Sequence, residues 1–136
     1  MPRQAQGTGS IRGNNRDNFL RDTAGDDVMD GRGGNDILVS TGGNDTMTGG
    51  DGADQFVFNP TGGTVTITDF EDGVDVLDVS AFGFDSNGNS SLGYWGYLET
   101  WGSDTHIVFY DISGETLRVV LQDTDHTQIS IDDYIL

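Results

Sequence analysis

The chain contains no cysteine and no lysine, only six positively charged side chains, and no long apolar run. Without cysteine there is no disulfide framework, although that absence does not assign a compartment. Six arginines against twenty-three acidic residues give a formal charge of −17, which disfavours nucleic acid as a partner because phosphate binding needs the opposite sign. No stretch approaches the length of a membrane span, and residues 1–10 lack the apolar centre of a signal peptide. Apolar residues make up only 34% of the 136, and glycine is abundant at 21. That composition borders on disorder unless bound cations cancel the repulsion among the carboxylates. The length suits one domain built as two halves sharing a core.

What the chain does have is a repeat. Residues 12–20 (RGNNRDNFL), 22–30 (DTAGDDVMD), 31–39 (GRGGNDILV), 40–48 (STGGNDTMT) and 49–57 (GGDGADQFV) read as one nine-residue unit, interrupted once by Arg21. The sixth position reads Asp17, Asp27, Asp36, Asp45 and Asp54, and the eighth reads Phe19, Met29, Leu38, Met47 and Phe56. Glycine holds the fourth position in the last four units (Gly25, Gly34, Gly43, Gly52). Glycine-rich turns permit positive φ, and one large apolar residue per short strand gives each strand one inward anchor. Two units then form one coil of eighteen residues, and units two apart stack as parallel strands about 4.8 Å apart.

Stacking places Asp27 beside Asp45, Asp36 beside Asp54 and, in this register, Asp17 beside Asp36. Carboxylates at that spacing repel by about 1 kcal/mol per pair in water, and by more where solvent is excluded. Hard carboxylate and carbonyl oxygens, with no sulfur or imidazole, describe a calcium site rather than a smaller octahedral magnesium site. The expected metal residues are Asp17, Asp27, Asp36, Asp45 and Asp54, with Gly31, Gly33, Gly34, Gly43, Gly49, Asp51 and Gly52 in the surrounding turns. Several Ca2+ ions are expected.

The unit resembles the RTX (repeats-in-toxin) nonapeptide G-G-x-G-x-D-x-U-x. Residues 49–57 match it at every defined position, 31–39 depart only at Arg32, and 40–48 depart at Ser40 and Thr41. The resemblance implies an all-β fold: a right-handed parallel β-roll of calcium-binding repeats over 11–58. A tail over 1–10 would precede it, and a β meander over 59–136 would cap it. Residues 67–84 (ITDFEDGVDVLDVSAFGF) resemble the stretch after the repeats in serralysin-type proteases and mannuronan C-5 epimerases, through Asp69-Phe70, Gly73, Asp75, Asp78 and Ser80-Ala81-Phe82. The continuation, with LQDTDHT at 121–127, is more similar to the epimerase R-module. The last residues, Asp132-Asp133-Tyr134-Ile135-Leu136, resemble the C-terminal signal of type I secretion substrates and also read as a closing strand.

Beyond the repeats, alternation predicts strands at 64–70, 75–79, 94–100, 105–110 and 117–121, forming a meander against the open end of the coil. Trp95, Tyr97 and Trp101 read as one buried face of a core strand, with a sugar-stacking platform as the alternative. Residues 85–89 begin like an EF-hand loop but lack its glycine and closing glutamate, and so read as a polar loop. His106 and His126 lie in no catalytic or metal-ligand spacing, and there is no H-E-x-x-H. The chain therefore reads as a non-catalytic, calcium-binding module of a secreted bacterial protein, extracellular or on the cell surface. Its expected partners are a catalytic or adhesive domain in the same polypeptide and the type I secretion apparatus. Alginate is the alternative ligand, with Arg12, Arg16, Arg21 and Arg32 as carbohydrate contacts along the first coil.

Overall fold

Strands in this chain are short because each unit spends most of its residues on a turn. The computed structural model describes residues 4–5, 9–60, 63–84, 89–125, 127, 129 and 134–136. The strands of the repeat region are β1 (Gln4–Ala5), β2 (Gly9–Arg12), β3 (Phe19–Arg21), β4 (Asp27–Asp30), β5 (Ile37–Ser40), β6 (Asp45–Thr48) and β7 (Gln55–Phe58). Then come β8 (Thr64–Ile67), β9 (Val76–Asp78), a short 3-10 helix at Ser80–Phe82, β10 (Trp95–Trp101), β11 (Asp104–Asp111), β12 (Gly114–Leu121) and β13 (Tyr134–Ile135).

Successive strands fall alternately into two sheets. One has the order β1-β3-β5-β7-β9-β13, and the other β10-β11-β12-β8-β6-β4-β2. From β1 to β9 every pairing is parallel, so the chain winds as a roll with a sheet on each side. One or two inward side chains per strand fill the space between the sheets. In one sheet Leu20, Leu38, Phe56 and Leu77 stack in register, and in the other Ile11, Met29, Met47 and Ile67 do. All eight are buried, each contributing about 1.5–3 kcal/mol of apolar burial.

This register corrects the first unit. Leu20 pairs with Leu38 and is fully buried, whereas Phe19 pairs with Ile37 and is only half-buried. The unit therefore runs over 13–21, follows directly onto 22–30, and makes Arg21 its ninth residue rather than an insertion. The expected tail also differs: Gln4–Ala5 pairs with β3, and Gly9–Ser10 lies in β2, while 1–3 and 6–8 fall outside the described residues.

The five strands expected beyond the repeats are present as β8 to β12. They close the roll by sheet extension. Hairpins β10–β11 and β11–β12 are antiparallel, and β12 then pairs parallel to β8, continuing that sheet. On the other sheet β13 pairs parallel to β9, so the end of the chain is a strand. Ile107, Phe109, Leu117, Val119 and Leu121 face inward, and the Phe109 ring stacks on Phe82 at 4.5 Å.

The opposite parity of β10 faces solvent, which corrects the core assignment of its aromatics. Trp95, Tyr97 and Trp101 are 49%, 43% and 59% exposed. Alternation was legible there, but β10 is the edge strand of its sheet, and Gly96, Leu98 and Thr100 on the other parity are exposed as well. His106 is a buried strand residue, its ring stacked on Trp101 at 4.8 Å and its Nδ1 2.9 Å from an Arg118 nitrogen. His126 and most of the EF-hand-like stretch, 85–88, lie outside the described residues.

The register is testable by truncating adjacent side chains. Leu20→Ala should lower stability by about 2–4 kcal/mol, and Phe19→Ala by less than about half as much, in equilibrium urea unfolding. The reverse order would restore the original register.

Candidate metal centre

Two edges of the roll carry the turns. Residues 13–18, 31–36, 49–54 and 68–75 cross between the sheets at one edge, and 22–26 and 41–44 return at the other. At the first edge the sixth positions are Asn18, Asp36 and Asp54, and the ladder continues to Asp75. The Asn18 N–H donates to Asp36 Oδ1 at 2.7 Å, the Asp36 N–H to Asp54 Oδ1 at 2.9 Å, and the Asp54 N–H to Asp75 Oδ1 at 2.9 Å. At the second edge the Gly9 N–H donates to Asp27 Oδ1 at 2.9 Å and the Asp27 N–H to Asp45 Oδ1 at 3.0 Å. Each carboxylate thus spends one oxygen holding the preceding coil.

The second oxygen is where a cation fits. Asp36 Oδ2 and Asp54 Oδ2 are buried and have no hydrogen-bond partner. A buried anionic oxygen without a partner is costly. A Cβ added at Gly31 would lie 2.5 Å from Asp36 Oδ2 and 2.7 Å from the Gly49 carbonyl oxygen, so glycine is what leaves that space open. The same added atom at Gly49 would collide with Asp54 Oδ2. Anionic carboxylate and neutral carbonyl oxygens, with no nitrogen or sulfur beside them, fit a hard divalent ion such as Ca2+. No arginine cancels these charges, since among the described residues the ion pairs join Arg118 to Glu99 and Glu115.

The family described as RTX calcium-binding nonapeptide repeat (4 copies) matches residues 12–47 and 33–59. Residues 12–59 are thus similar to RTX repeats. Among solved structures, the AlgE6R3 subunit of the mannuronan C5-epimerase of Azotobacter vinelandii aligns at TM-score 0.74 and 28% identity, over 94% of this chain and 77% of that one. The AlgE6R2 subunit of the same enzyme aligns at 26% identity over 93% and 91%, with a TM-score of 0.39 that is too low to bear on the fold. No curated protein sequence matches the chain. The parallel β-roll capped by a β meander is thus a fold shared with that AlgE6R3 subunit.

Within these repeats Asp17 is a fifth-position residue. Its exposed side chain accepts the Asn35 N–H at 2.7 Å, and Asn35 in turn accepts the Ala53 N–H at 2.8 Å. Asp17 therefore belongs to a separate, outer ladder, and Asn18 stands beside Asp36 in its place. Gly34, Gly43 and Gly52 adopt φ of +87°, +87° and +109°, pressed against the backbone of the preceding coil. Gly33 lies against Asn15, and Asp51 is exposed, its N–H donating to the Arg32 carbonyl. Arg32 replaces the second glycine and is held at φ 74°, a conformation most side chains avoid.

The RTX pattern alone misses two carboxylates in the last turn. Asp75 continues the ladder 21 residues after Asp54, because its turn is longer than the repeat. Asp69 accepts the Gly49 and Gly50 N–H groups at 3.0 and 2.7 Å. Only their place in the 67–84 resemblance marked them. The four arginines do not form one row: Arg12 closes β2, Arg16 and Arg32 sit in first-edge turns, and Arg21 closes β3 beside the second edge.

Burial pushes Asp36 and Asp75 up to about 6, and Asp45 and Asp54 up to about 7. In the unfolded chain these groups titrate near 3.8, so the metal-free fold holds protons that the unfolded chain has released. Their contribution to stability is full below about pH 4 and is lost as pH rises through 6 to 7. Without calcium, the β signal in circular dichroism should be larger at pH 5 than at pH 8. A signal that rises with pH across that interval would contradict burial of the ladder.

Proposed function

We propose that this chain is a non-catalytic, calcium-binding RTX module of a larger secreted polypeptide, and that calcium drives its folding outside the cell. The observation that carries this reading is the pair of buried, unpartnered oxygens on Asp36 and Asp54 beside the open glycines. Where calcium is scarce, the stacked carboxylates oppose folding and leave an extended, exportable chain. Where calcium is plentiful, binding energy becomes folding energy, because the unfolded chain does not assemble the site. RTX repeats occur in secreted proteins, which supports an extracellular or cell-surface location and a type I secretion route. The strand β13 is compatible with a secretion signal that later folds into the sheet. Circular dichroism tests the coupling. The chelated chain at pH 8 should lose most of its β signal and regain it with calcium, and Asp36→Ala should raise the calcium required more than Asp17→Ala does. A chelated chain that stays fully folded would sink the reading.

A second reading makes the module an alginate-binding aid to an epimerase catalytic domain in the same polypeptide. The likeness to a mannuronan C5-epimerase subunit supports it, as does the exposed row of Trp95, Tyr97 and Trp101 on β10. Arg118 adds a guanidinium 5.4 Å from the Trp101 ring centre, a contact that the four N-terminal arginines do not offer. Alginate oligomers added at fixed calcium should shift the indole N–H resonances of Trp95 and Trp101. Silence at millimolar oligomer would leave the structural role alone.

A further inference from the structure

The two edges of the roll are built differently, and the difference centres on Asp22. At the first edge the opening residue of each turn is glycine (Gly13, Gly31, Gly49), whereas at the second edge it is Asp22 and then Ser40. The side chains there supply the partners that the first edge lacks. Thr23 donates its N–H and its hydroxyl to Asp27 Oδ2, each at 3.0 Å, and Ser40 Oγ donates to Asp45 Oδ2 at 2.8 Å. Asp22 Oδ1 is satisfied as well, by the Thr41 N–H at 2.8 Å and its hydroxyl at 2.6 Å. The unpartnered oxygen of this edge is Asp22 Oδ2, on a side chain in a residue only 4% exposed. Asp22, Asp27 and Asp45 each offer an oxygen within 4.8 Å of the other two, and all three residues are buried.

We infer that Asp22, Asp27 and Asp45 form a second kind of cation site, in which a first-position carboxylate takes the place of the repeat's glycine. The inference rests on the calcium reading above and adds to it a ligand that the RTX pattern does not contain. A turn-tying role explains only one Asp22 oxygen, because Thr41 occupies Oδ1 alone. It gives no reason to bury the other oxygen against two further carboxylates. Three carboxylates carry one negative charge more than the Asp36–Asp54 pair, and cation affinity follows ligand charge. The second-edge site should therefore hold its ion more tightly and favour a trivalent ion over calcium more strongly than the Asp36–Asp54 site does.

Equilibrium dialysis of the full chain against calcium, with terbium as competitor, tests this. In the wild-type chain one ion should exchange for terbium at a terbium-to-calcium ratio about tenfold lower than the ion between Asp36 and Asp54. Asp22→Asn should remove that ion or weaken it at least about tenfold, and so should Asp22→Gly, which restores the glycine of units 31–39 and 49–57. Circular dichroism at saturating calcium identifies a variant that has failed to fold. In that case the wild-type competition curve decides alone, and a single-phase curve overturns the inference. An unchanged ion count, affinity and terbium preference in a folded variant also overturns it. A wild-type chain that binds no calcium overturns the underlying reading instead.

Discussion

The structure turns on one constraint: successive coils stack carboxylate on carboxylate inside the fold, Asp36 on Asp54 on Asp75 at one edge and Asp27 on Asp45 at the other. The backbone N–H that each Asp36, Asp54 or Asp75 Oδ1 accepts sets the register between coils. The same geometry brings like charges to strand spacing and shields them from water. A protein interior holds such charges only if they are protonated or neutralised by an opposite charge. With Arg12, Arg16, Arg21 and Arg32 exposed, no described arginine of the roll is buried against these carboxylates, and a cation from outside the chain can supply the neutralising charge. Cation binding is therefore part of how the roll can exist at neutral pH.

The apolar core has the same dependence. Two columns of stacked side chains, joined by Phe58, Val65 and Val79 toward the last coil, fill the space between the sheets. The columns align only when the turns at the edges are stacked. Leu38 lies over Leu20, and Phe56 over Leu38, because Asp36 lies over Asn18 and Asp54 over Asp36. Core and edges thus assemble together.

Much of this was legible in the sequence, because a strict period fixes which residues stack. The inward residues Met29, Leu38, Met47 and Phe56 and the pairs Asp27–Asp45 and Asp36–Asp54 follow from the period alone. The first unit misled because DNF at 17–19 imitates the D-x-U signature one residue too early, and only the pairing of Leu20 with Leu38 exposes the shift. Asp75 escaped because a longer turn breaks the spacing, and Asp22 because the pattern expects glycine there. The β10 aromatics show a different gap. Alternation identifies two faces of a strand, but which face is buried depends on what the sheet rests against, and that is set by residues distant in sequence.

That distance separates the molecule into two kinds of contact. Within the roll, each strand pairs with one only a coil away along the chain, so the closures are short and alike. The pairings of β12 with β8 and of β13 with β9 bridge far longer stretches. Loop-closure entropy and contact order both make such pairings late events in folding. The coils can form in succession from local contacts while the last strand of each sheet still awaits its neighbour. During that interval β8 and β9 present open parallel edges, which makes the finishing strands the step at which two copies of the chain could most easily exchange partners.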